Sequence, residues 1–404
     1  MYMQYIKRLV VQSTNSAQRC RRIGRQGSNG TVDSRGKTVT EWRHERIWWR
    51  TITGAKYPHF MTKGPQTARE AKNLLLHPTG NCEAVWTHHS YAQHDDYGIG
   101  MAQVDTSFRP ALSVVATPNK RRAILELAAE AESRGFSGLA IPSLGATMGL
   151  CVSLAHVTSR INYWTSIQPI YYSHPVEAAN TVAHINEMSD GRFRFGIGVS
   201  HGPVTQRLGV NTGKPLSDIS DYVAAMRANE RFGGQLPPIY LATLRNKMLQ
   251  LASDIAEGAI WANASLSRMS SQLAEVPHST RDGFFLSNMI PTVIDDDIDA
   301  ARAVNRKTLT GYVSLPNYRN YWKAAGYVEE MDAIENAINS GQKDIVTSFM
   351  TDKWLDDCTI SGSPTRVRDR LEEWAASGVT PIAVMSSTTG GQAKAIGELF
   401  SLYN

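Results

Sequence analysis

Short apolar runs alternate with amphipathic helical stretches from residue 110 to the end of the chain, and this repeat constrains the fold more than any other feature. In three places an amphipathic helix, a glycine and an apolar run follow one another, at Gly135, Gly258 and Gly378. Gly135 stands where a helix ends in the left-handed conformation. Eight runs have the character of strands: residues 111–116, 138–142, 161–168, 193–199, 238–243, 259–262, 284–291 and 380–385. Such alternation predicts parallel strands buried on both faces of a sheet.

Eight strand–helix units close naturally into a (β/α)8 TIM barrel of about 250 residues or more. An open doubly wound sheet is the alternative, but no glycine-rich turn follows the first strand, where the sequence reads SVVATPNKR. We therefore predict an α/β barrel. Two connections are long, residues 202–236 and 295–379, and we expect helical insertions there, after the fourth and seventh strands. Such insertions usually form the wall of a site at the carboxyl ends of the strands.

The first hundred residues have a different character. They hold 15 Lys and Arg against 7 Asp and Glu, whereas the remainder holds 27 against 30. They show little helical or strand periodicity. We expect a basic, poorly ordered extension over residues 1–107 before a barrel domain over 108–404, with Met101 as a candidate for the true start. A transit peptide is an alternative. A nucleic-acid-binding arm is less favoured, because the basic and aromatic residues are not interleaved on a regular face.

Composition excludes several classes of protein. No apolar run approaches the roughly 20 residues of a membrane span. The four cysteines are far apart and form no CxxC, which argues against a disulfide scaffold or a zinc module and favours a reducing compartment, which we take to be the cytoplasm. His88, His89 and His94 have no further partner at ligand spacing, so we predict no metal site.

The segment 191–202, GRFRFGIGVSHG, alternates like a strand and ends in Ser200 and His201. Its GVSHG end matches the G-x-S-x-G nucleophile elbow of serine hydrolases. An elbow leads directly into a helix, however, and we expect Pro203 and residues 209–215 to interrupt one here. A serine hydrolase is therefore the weaker alternative. A dinucleotide fingerprint is excluded because His201 stands where the third glycine is required.

From Pro110 onward the chain resembles the bacterial luciferase-like superfamily of barrel oxidoreductases, which use FMN or the deazaflavin coenzyme F420. The most specific stretch contains His174–Pro175, the SDGR turn at 189–192 and the glycine-rich strand at 195–198. The GVSH ending and the following KPLSDISDYVAAMR segment are similar to the deazaflavin-dependent branch. The resemblance therefore implies F420 as the favoured cofactor and FMN as the alternative.

The resemblance also implies a site. The cofactor ring would lie over the end of the third strand, at a non-proline cis peptide near Thr165–Ser166. His201 stands where related sugar-phosphate dehydrogenases have a catalytic carboxylate, and an imidazole can move a proton near neutral pH. A structural histidine at the strand end is the alternative. The residues expected to bind the cofactor are Thr165, Ser166, Gln168, Ser200, Ala242, Thr243, Arg245 and Ser265.

These expectations combine into one function. We predict an oxidoreductase or monooxygenase that transfers hydride through its cofactor to a small organic substrate, in a homodimer or homotetramer. A noncatalytic flavin-binding barrel or partner subunit is the alternative. It is favoured by one departure from the family, since relatives often have glycines at the phosphate-binding turns and this sequence has none there.

Overall fold

The computed structural model describes residues 108–403, apart from 277, 278 and 280. Its strands form one sheet in which each recorded pair is parallel, and the pairing of the last strand with both β1 and β8 closes that sheet into a barrel. The predicted (β/α)8 barrel is confirmed. The strands are β1 Ala111–Ser113, β2 Gly138–Ile141, β3 Tyr163–Thr165, β4 Gln168–Pro169, β5 Phe193–Gly198, β6 Ile239–Ala242, β7 Gly258–Ala262, β8 Phe285–Ile294, β9 Ile360–Gly362 and β10 Thr380–Ser386.

Helices follow the strands as the sequence pattern predicted. Those outside the long connections are α1 Arg121–Ser133, α2 Thr147–Val157, α3 Pro175–Met188, α6 Asn246–Ile255, α7 Leu266–Glu275 and α13 Gln392–Ser401. The connection after β5 holds α4 Gly202–Leu208 and α5 Pro215–Gly233. The connection after β8 holds α8 Ile298–Val313, α9 Pro316–Ala324, α10 Val328–Asn339, α11 Asp352–Cys358 and α12 Pro364–Ala376. Two 3-10 helices complete the described part, Ile170–Tyr172 and Lys343–Phe349. No described helix has both the length and the apolar character needed to cross a membrane.

Two strands differ from the prediction. The third barrel strand, expected as one run, is divided into β3 and β4, and both parts pair with β5. The short strand β9 was not predicted. It pairs with the last residues of β8, from Thr292 to Ile294, beyond the part of β8 that pairs with β7. The predicted extension over residues 1–107 lies outside the described residues.

The three glycines before strands do not share one role. Gly135 and Gly378 follow helices at φ +74° and +83°, the left-handed conformation expected of a helix end. Gly258 instead begins β7, where a Cβ atom would lie 2.6 Å from the ring of Tyr240 and 2.8 Å from the carbonyl oxygen of Phe285. Close packing of neighbouring strands, rather than helix termination, requires glycine at this third position.

The barrel interior is filled near the amino ends of the strands by aromatic side chains. The ring of Tyr240 stacks on Phe285 with centroids 4.8 Å apart, and Trp164 contacts the same ring edge-on at 5.1 Å. Because side chains alternate between the two faces of a strand, the next inward positions on β6 and β7 are Ala242 and Ala262. The interior is therefore closed at its amino end and lined by small residues toward its carboxyl end.

Candidate active site at the carboxyl ends of the strands

Beyond the rings of Trp164, Tyr240 and Phe285 the inward positions are small residues, and we call this part of the barrel interior the recess. On β5 the inward positions after Arg194 are Gly196 and Gly198. A Cβ atom at Gly198 would lie 2.7 Å from the Cβ of Ala242 and 3.2 Å from Cδ1 of Ile167. The strands can therefore approach closely here only because these side chains are small or absent. This is the end of the barrel at which (β/α)8 proteins place their sites.

The break between β3 and β4 borders this recess. The peptide between Ser166 and Ile167 is cis, one bond beyond the position expected near Thr165–Ser166. Thr165 is buried, and its hydroxyl donates to the carbonyl oxygen of Gly196 at 2.6 Å, which ties β3 to β5. The hydroxyl of Ser166 and Oε1 of Gln168 are buried and have no hydrogen-bond partner among the described residues. These two groups are free to bind a ligand.

Ser200 and His201 follow β5 at the same face. Ser200 takes the left-handed conformation with φ +65°, and His201 is the extended residue before α4. The sequence reading that no helix follows directly was wrong, because Pro203 lies in the first turn of α4, where proline is tolerated. The hydroxyl of Ser200 nevertheless makes no recorded hydrogen bond to a histidine within the described residues. The serine hydrolase alternative therefore gains no support.

His201 is half-buried against aromatic residues of the insertion after β8. Its imidazole meets Tyr318 with ring centroids 5.8 Å apart and Tyr312 at 6.2 Å, both edge-on. This burial lowers the pKa of His201 from its ordinary value, so the imidazole is neutral near pH 7. Burial raises the pKa of Tyr312 and Tyr318, and both remain protonated phenols. His201 is therefore an uncharged imidazole that can donate or accept a proton, and it lies among aromatic side chains.

The same insertion contacts the end of β7. Trp322 on α9 donates from Nε1 to the carbonyl oxygen of Asn263 at 3.1 Å, and its ring packs edge-on against Trp354 of α11. Asn263 has φ +56°, a conformation that asparagine tolerates better than most residues other than glycine. The turn after β7 therefore contains a left-handed residue that is asparagine and not the glycine expected from the resemblance.

The predicted phosphate-binding residues lie at the start of α6 and α7. Thr243 and Ser265 are buried, and neither hydroxyl has a recorded partner. Arg245 and Ser265 precede the two helices, and neither side chain caps its helix. Free N–H groups at a helix start carry partial positive charge and favour anions. These are the features that phosphate recognition requires.

A cavity of about 340 Å³ opens beside these helix starts. Sequence reasoning found Arg245 but missed the other residues that give the cavity its character. Lys247 and Arg268 could have been noticed, since each lies in the first turn of its helix. Tyr321 could not, because it comes from α9 and reaches the cavity only through folding; its hydroxyl accepts from the backbone N–H of Ser265 at 3.1 Å. The lining residues are Arg245, Asn246, Lys247, Arg268, Tyr321 and Ala324.

Other potential sites are not supported within residues 108–403, leaving aside 277, 278 and 280. No group of three or more His, Cys, Asp or Glu side chains there could hold a metal ion. Cys151 and Cys358 are fully buried free thiols, and burial raises the pKa of both. Neither is therefore a reactive thiolate. The chemistry of the described barrel is concentrated at the carboxyl ends of β3 to β7.

The fold and this concentration of groups define a (β/α)8 barrel protein with candidate ligand-binding groups at the carboxyl ends of its strands. The chain belongs to the luciferase-like monooxygenase family, whose model matches residues 103–381.

Individual relatives carry more specific names. The 5,10-methylenetetrahydromethanopterin reductase of Archaeoglobus fulgidus is 26% identical over 275 residues, covering 60% of this chain and 82% of the relative. The structure of the F420-dependent tetrahydromethanopterin reductase of Methanopyrus kandleri superposes with a TM-score of 0.59 at 18% identity, over 73% of this chain and 98% of that one. The oxygenating constituent of 3,6-diketocamphane monooxygenase from Pseudomonas putida, in complex with FMN, reaches 0.50 at 14% identity, over 74% and 96%. At these identities the two structures establish the shared fold alone.

Proposed function

We propose that this chain is an oxidoreductase that uses coenzyme F420, with FMN as the alternative, for hydride transfer to a small organic substrate. Family membership supports the oxidoreductase class, and a Mycobacterium tuberculosis relative named as a putative coenzyme F420-dependent oxidoreductase, 24% identical over 293 residues, supports the deazaflavin. The observation that carries the proposal is the set of buried polar atoms without partners at Ser166, Gln168, Thr243 and Ser265. Buried polar groups are normally paired, so an unpaired set at the carboxyl ends of the barrel strands indicates a polar ligand.

The residues present fit a tricyclic, phosphate-bearing cofactor. Gly198 and Ala242 leave the recess narrow and free of bulky side chains, as a flat ring requires. Ser166 and Gln168 would donate to or accept from the polar edge of that ring. Thr243, Ser265, Arg245 and the N–H groups at the start of α6 would bind the phosphate. Ser200 would contact the cofactor from the end of β5.

Bound F420 or FMN would supply the hydride, and FMN could also activate oxygen for monooxygenation. The protein contributes position and proton transfer. We assign His201 as the general acid or base, acting through an imidazole nitrogen on the substrate. Its neutral state suits proton acceptance near pH 7. Tyr312 and Tyr318 would exclude water from one side of the imidazole.

A binding and turnover experiment tests this function. Purified protein is titrated into F420 and into FMN, and quenching of the cofactor's own fluorescence reports binding. Reduced or oxidised cofactor is then followed over a panel of small alcohols, aldehydes and ketones. We expect F420 binding and turnover, with His201→Asn retaining binding and losing turnover by about 10²–10⁴-fold. Binding with no turnover on any substrate would favour the noncatalytic barrel, and binding of neither cofactor would contradict both functions.

We further propose a cytoplasmic homo-oligomer that acts on a small molecule and not on nucleic acid. The buried free thiols of Cys151 and Cys358 are consistent with a reducing compartment. Light scattering during gel filtration measures the assembly, and a dimer or tetramer is the expected result. A monomer at micromolar concentration would contradict it.

A further inference from the structure

The cavity beside α6 and α7 carries more positive charge than one phosphate needs. A single phosphate group is served by one arginine and the N–H groups of a helix start, which here are Arg245 and the first turn of α6. Lys247 and Arg268 line the same cavity in addition. Two further cations at one opening indicate that the ligand extends beyond its phosphate with further negative charge.

The added cations have no carboxylate partner among the described residues. Neither Lys247 nor Arg268 forms a recorded ion pair with a carboxylate of the described residues. Arg268 donates from one guanidinium nitrogen to the carbonyl oxygen of Ala324 at 2.9 Å, which orients its side chain. A guanidinium has five N–H donors, so the others remain free for a ligand.

Two carboxylates lie near the cavity, and both are engaged by neutral donors. Asp357 accepts from the backbone N–H and hydroxyl of Ser267 at 2.8 and 2.7 Å, and from the hydroxyl of Tyr327 at 2.9 Å. Glu275 accepts from the side-chain amide of Asn246. Neither acid forms an ion pair with Lys247 or Arg268 among the pairs found in the described residues, so both cations are available to a ligand.

We propose that Lys247 and Arg268 bind the carboxylate tail of F420 and thereby select it over FMN. This inference rests on the proposed function. FMN ends at its phosphate, whereas F420 continues from a phosphodiester through a lactyl group into a chain of glutamates with free carboxylates. Lys247 and Arg268 are specificity-determining residues here, since they would contact only the part of the cofactor that FMN lacks.

The test uses three deazaflavin ligands and FMN, with binding measured by fluorescence quenching. The ligands are the deazaflavin riboside without phosphate, the phospholactyl form without glutamates, and F420 with its glutamate tail. The wild-type protein is expected to bind them with increasing affinity in that order. The double variant Lys247→Gln, Arg268→Gln should bind full-length F420 about tenfold more weakly, at the affinity of the phospholactyl form, and leave the riboside unchanged.

A matched control is Arg160→Gln, which removes an exposed cation before β3, at the amino end of the barrel. It should change none of the four affinities. The wild-type preference for the full tail should also weaken with added salt, because exposed charges are screened.

The possible outcomes distinguish failure of this inference from failure of the proposed function on which it rests. Equal wild-type affinity for full-length F420 and its phospholactyl form would overturn the inference and leave the proposed function standing. An equal loss for all three deazaflavins in the double variant would do the same, since it would indicate a general structural effect. Failure of every ligand to bind would overturn the proposed function together with the inference.

Discussion

The imidazole of His201 packs edge-on against the phenol ring of Tyr318, with ring centroids 5.8 Å apart and planes inclined at 61°. His201 follows β5, whereas Tyr318 lies on α9, more than a hundred residues later. The contact joins the end of a barrel strand to the insertion after β8. The contact buries His201, the side chain to which we assign proton transfer. This burial lowers the pKa of the imidazole and keeps it neutral near pH 7.

The first prediction concerns the pH dependence of turnover. Burial lowers the pKa of His201 below its ordinary value of 6.5. In the direction in which the imidazole accepts a proton, activity should fall only as the pH drops through that lowered pKa, and the acidic limb of kcat/KM should lie below pH 6.5. Tyr318→Ala admits water and should move the limb upward toward 6.5. A limb above 6.5 in the wild type, or no movement in the variant, would contradict the assignment.

The second prediction concerns the close approach of β5 to the third strand. A Cβ atom at Gly196 would lie 1.9 Å from the carbonyl oxygen of Thr165 and 2.9 Å from Cδ1 of Ile260. Gly196→Ala should therefore lower the free energy of unfolding by about 3 kcal/mol or more, because backbone must move. Urea unfolding followed by tryptophan fluorescence measures the change.

The control for this prediction is Gly311→Ala. Gly311 is exposed on α8, and a Cβ atom there meets nothing within 4 Å. Alanine is the better helix former, so this variant should gain roughly 0.5–1 kcal/mol. Equal effects of the two substitutions would show that the contact between β5 and the third strand is not as close as described.

The third prediction concerns the hydroxyl of Tyr321, which accepts a hydrogen bond from the backbone N–H of Ser265 at the start of α7. Tyr321→Phe removes the acceptor of the buried Ser265 N–H. An unsatisfied buried donor costs about 1–3 kcal/mol, and the free energy of unfolding should decrease by that amount. Tyr172→Phe, at an exposed tyrosine, should have no measurable effect. A neutral Tyr321→Phe would mean that the N–H of Ser265 has another acceptor.

The fourth prediction concerns the ion-pair network of the insertion. Asp356 on α11 accepts from Arg302 at 2.7 Å and from Arg366 at 2.9 Å, and the Arg302 side chain is only 14% exposed. Asp356→Asn should therefore cost about 1–3 kcal/mol of unfolding free energy, between the values typical of exposed and of buried pairs. Asp299, 86% exposed and 3.8 Å from Arg302, supplies the control. Asp299→Asn should change stability by less than about 0.5 kcal/mol; similar losses in both variants would contradict this reading of the network.

The barrel could be predicted because the sequence pattern of each strand and helix is local. Each strand is a short apolar run, and the order of runs and helices determines the closed parallel sheet. The division of the third strand at the Ser166–Ile167 peptide was not visible in the run 161–168. The strand β9 was missed because it is only three residues long and forms by pairing with the last residues of β8.

The site was predictable where residues lie directly at strand ends. His201, Thr243 and Ser265 follow β5, β6 and β7, and parallel strands of a barrel end at one face. Their roles remain predictions. Tyr318 and Tyr321 come from a long insertion, whose docking depends on tertiary contacts that no local pattern encodes. Their contacts with His201 and Ser265 became visible only in the folded chain.

The most direct test of the central claim is a crystal structure of the protein with F420. The account predicts the deazaflavin ring in the recess between the Ser166–Ile167 peptide and Gly198, with His201 facing the substrate side. It predicts the phosphodiester at Thr243, Arg245 and Ser265. Electron density for the cofactor at any other surface, or a recess that stays empty at saturating F420, would contradict the account.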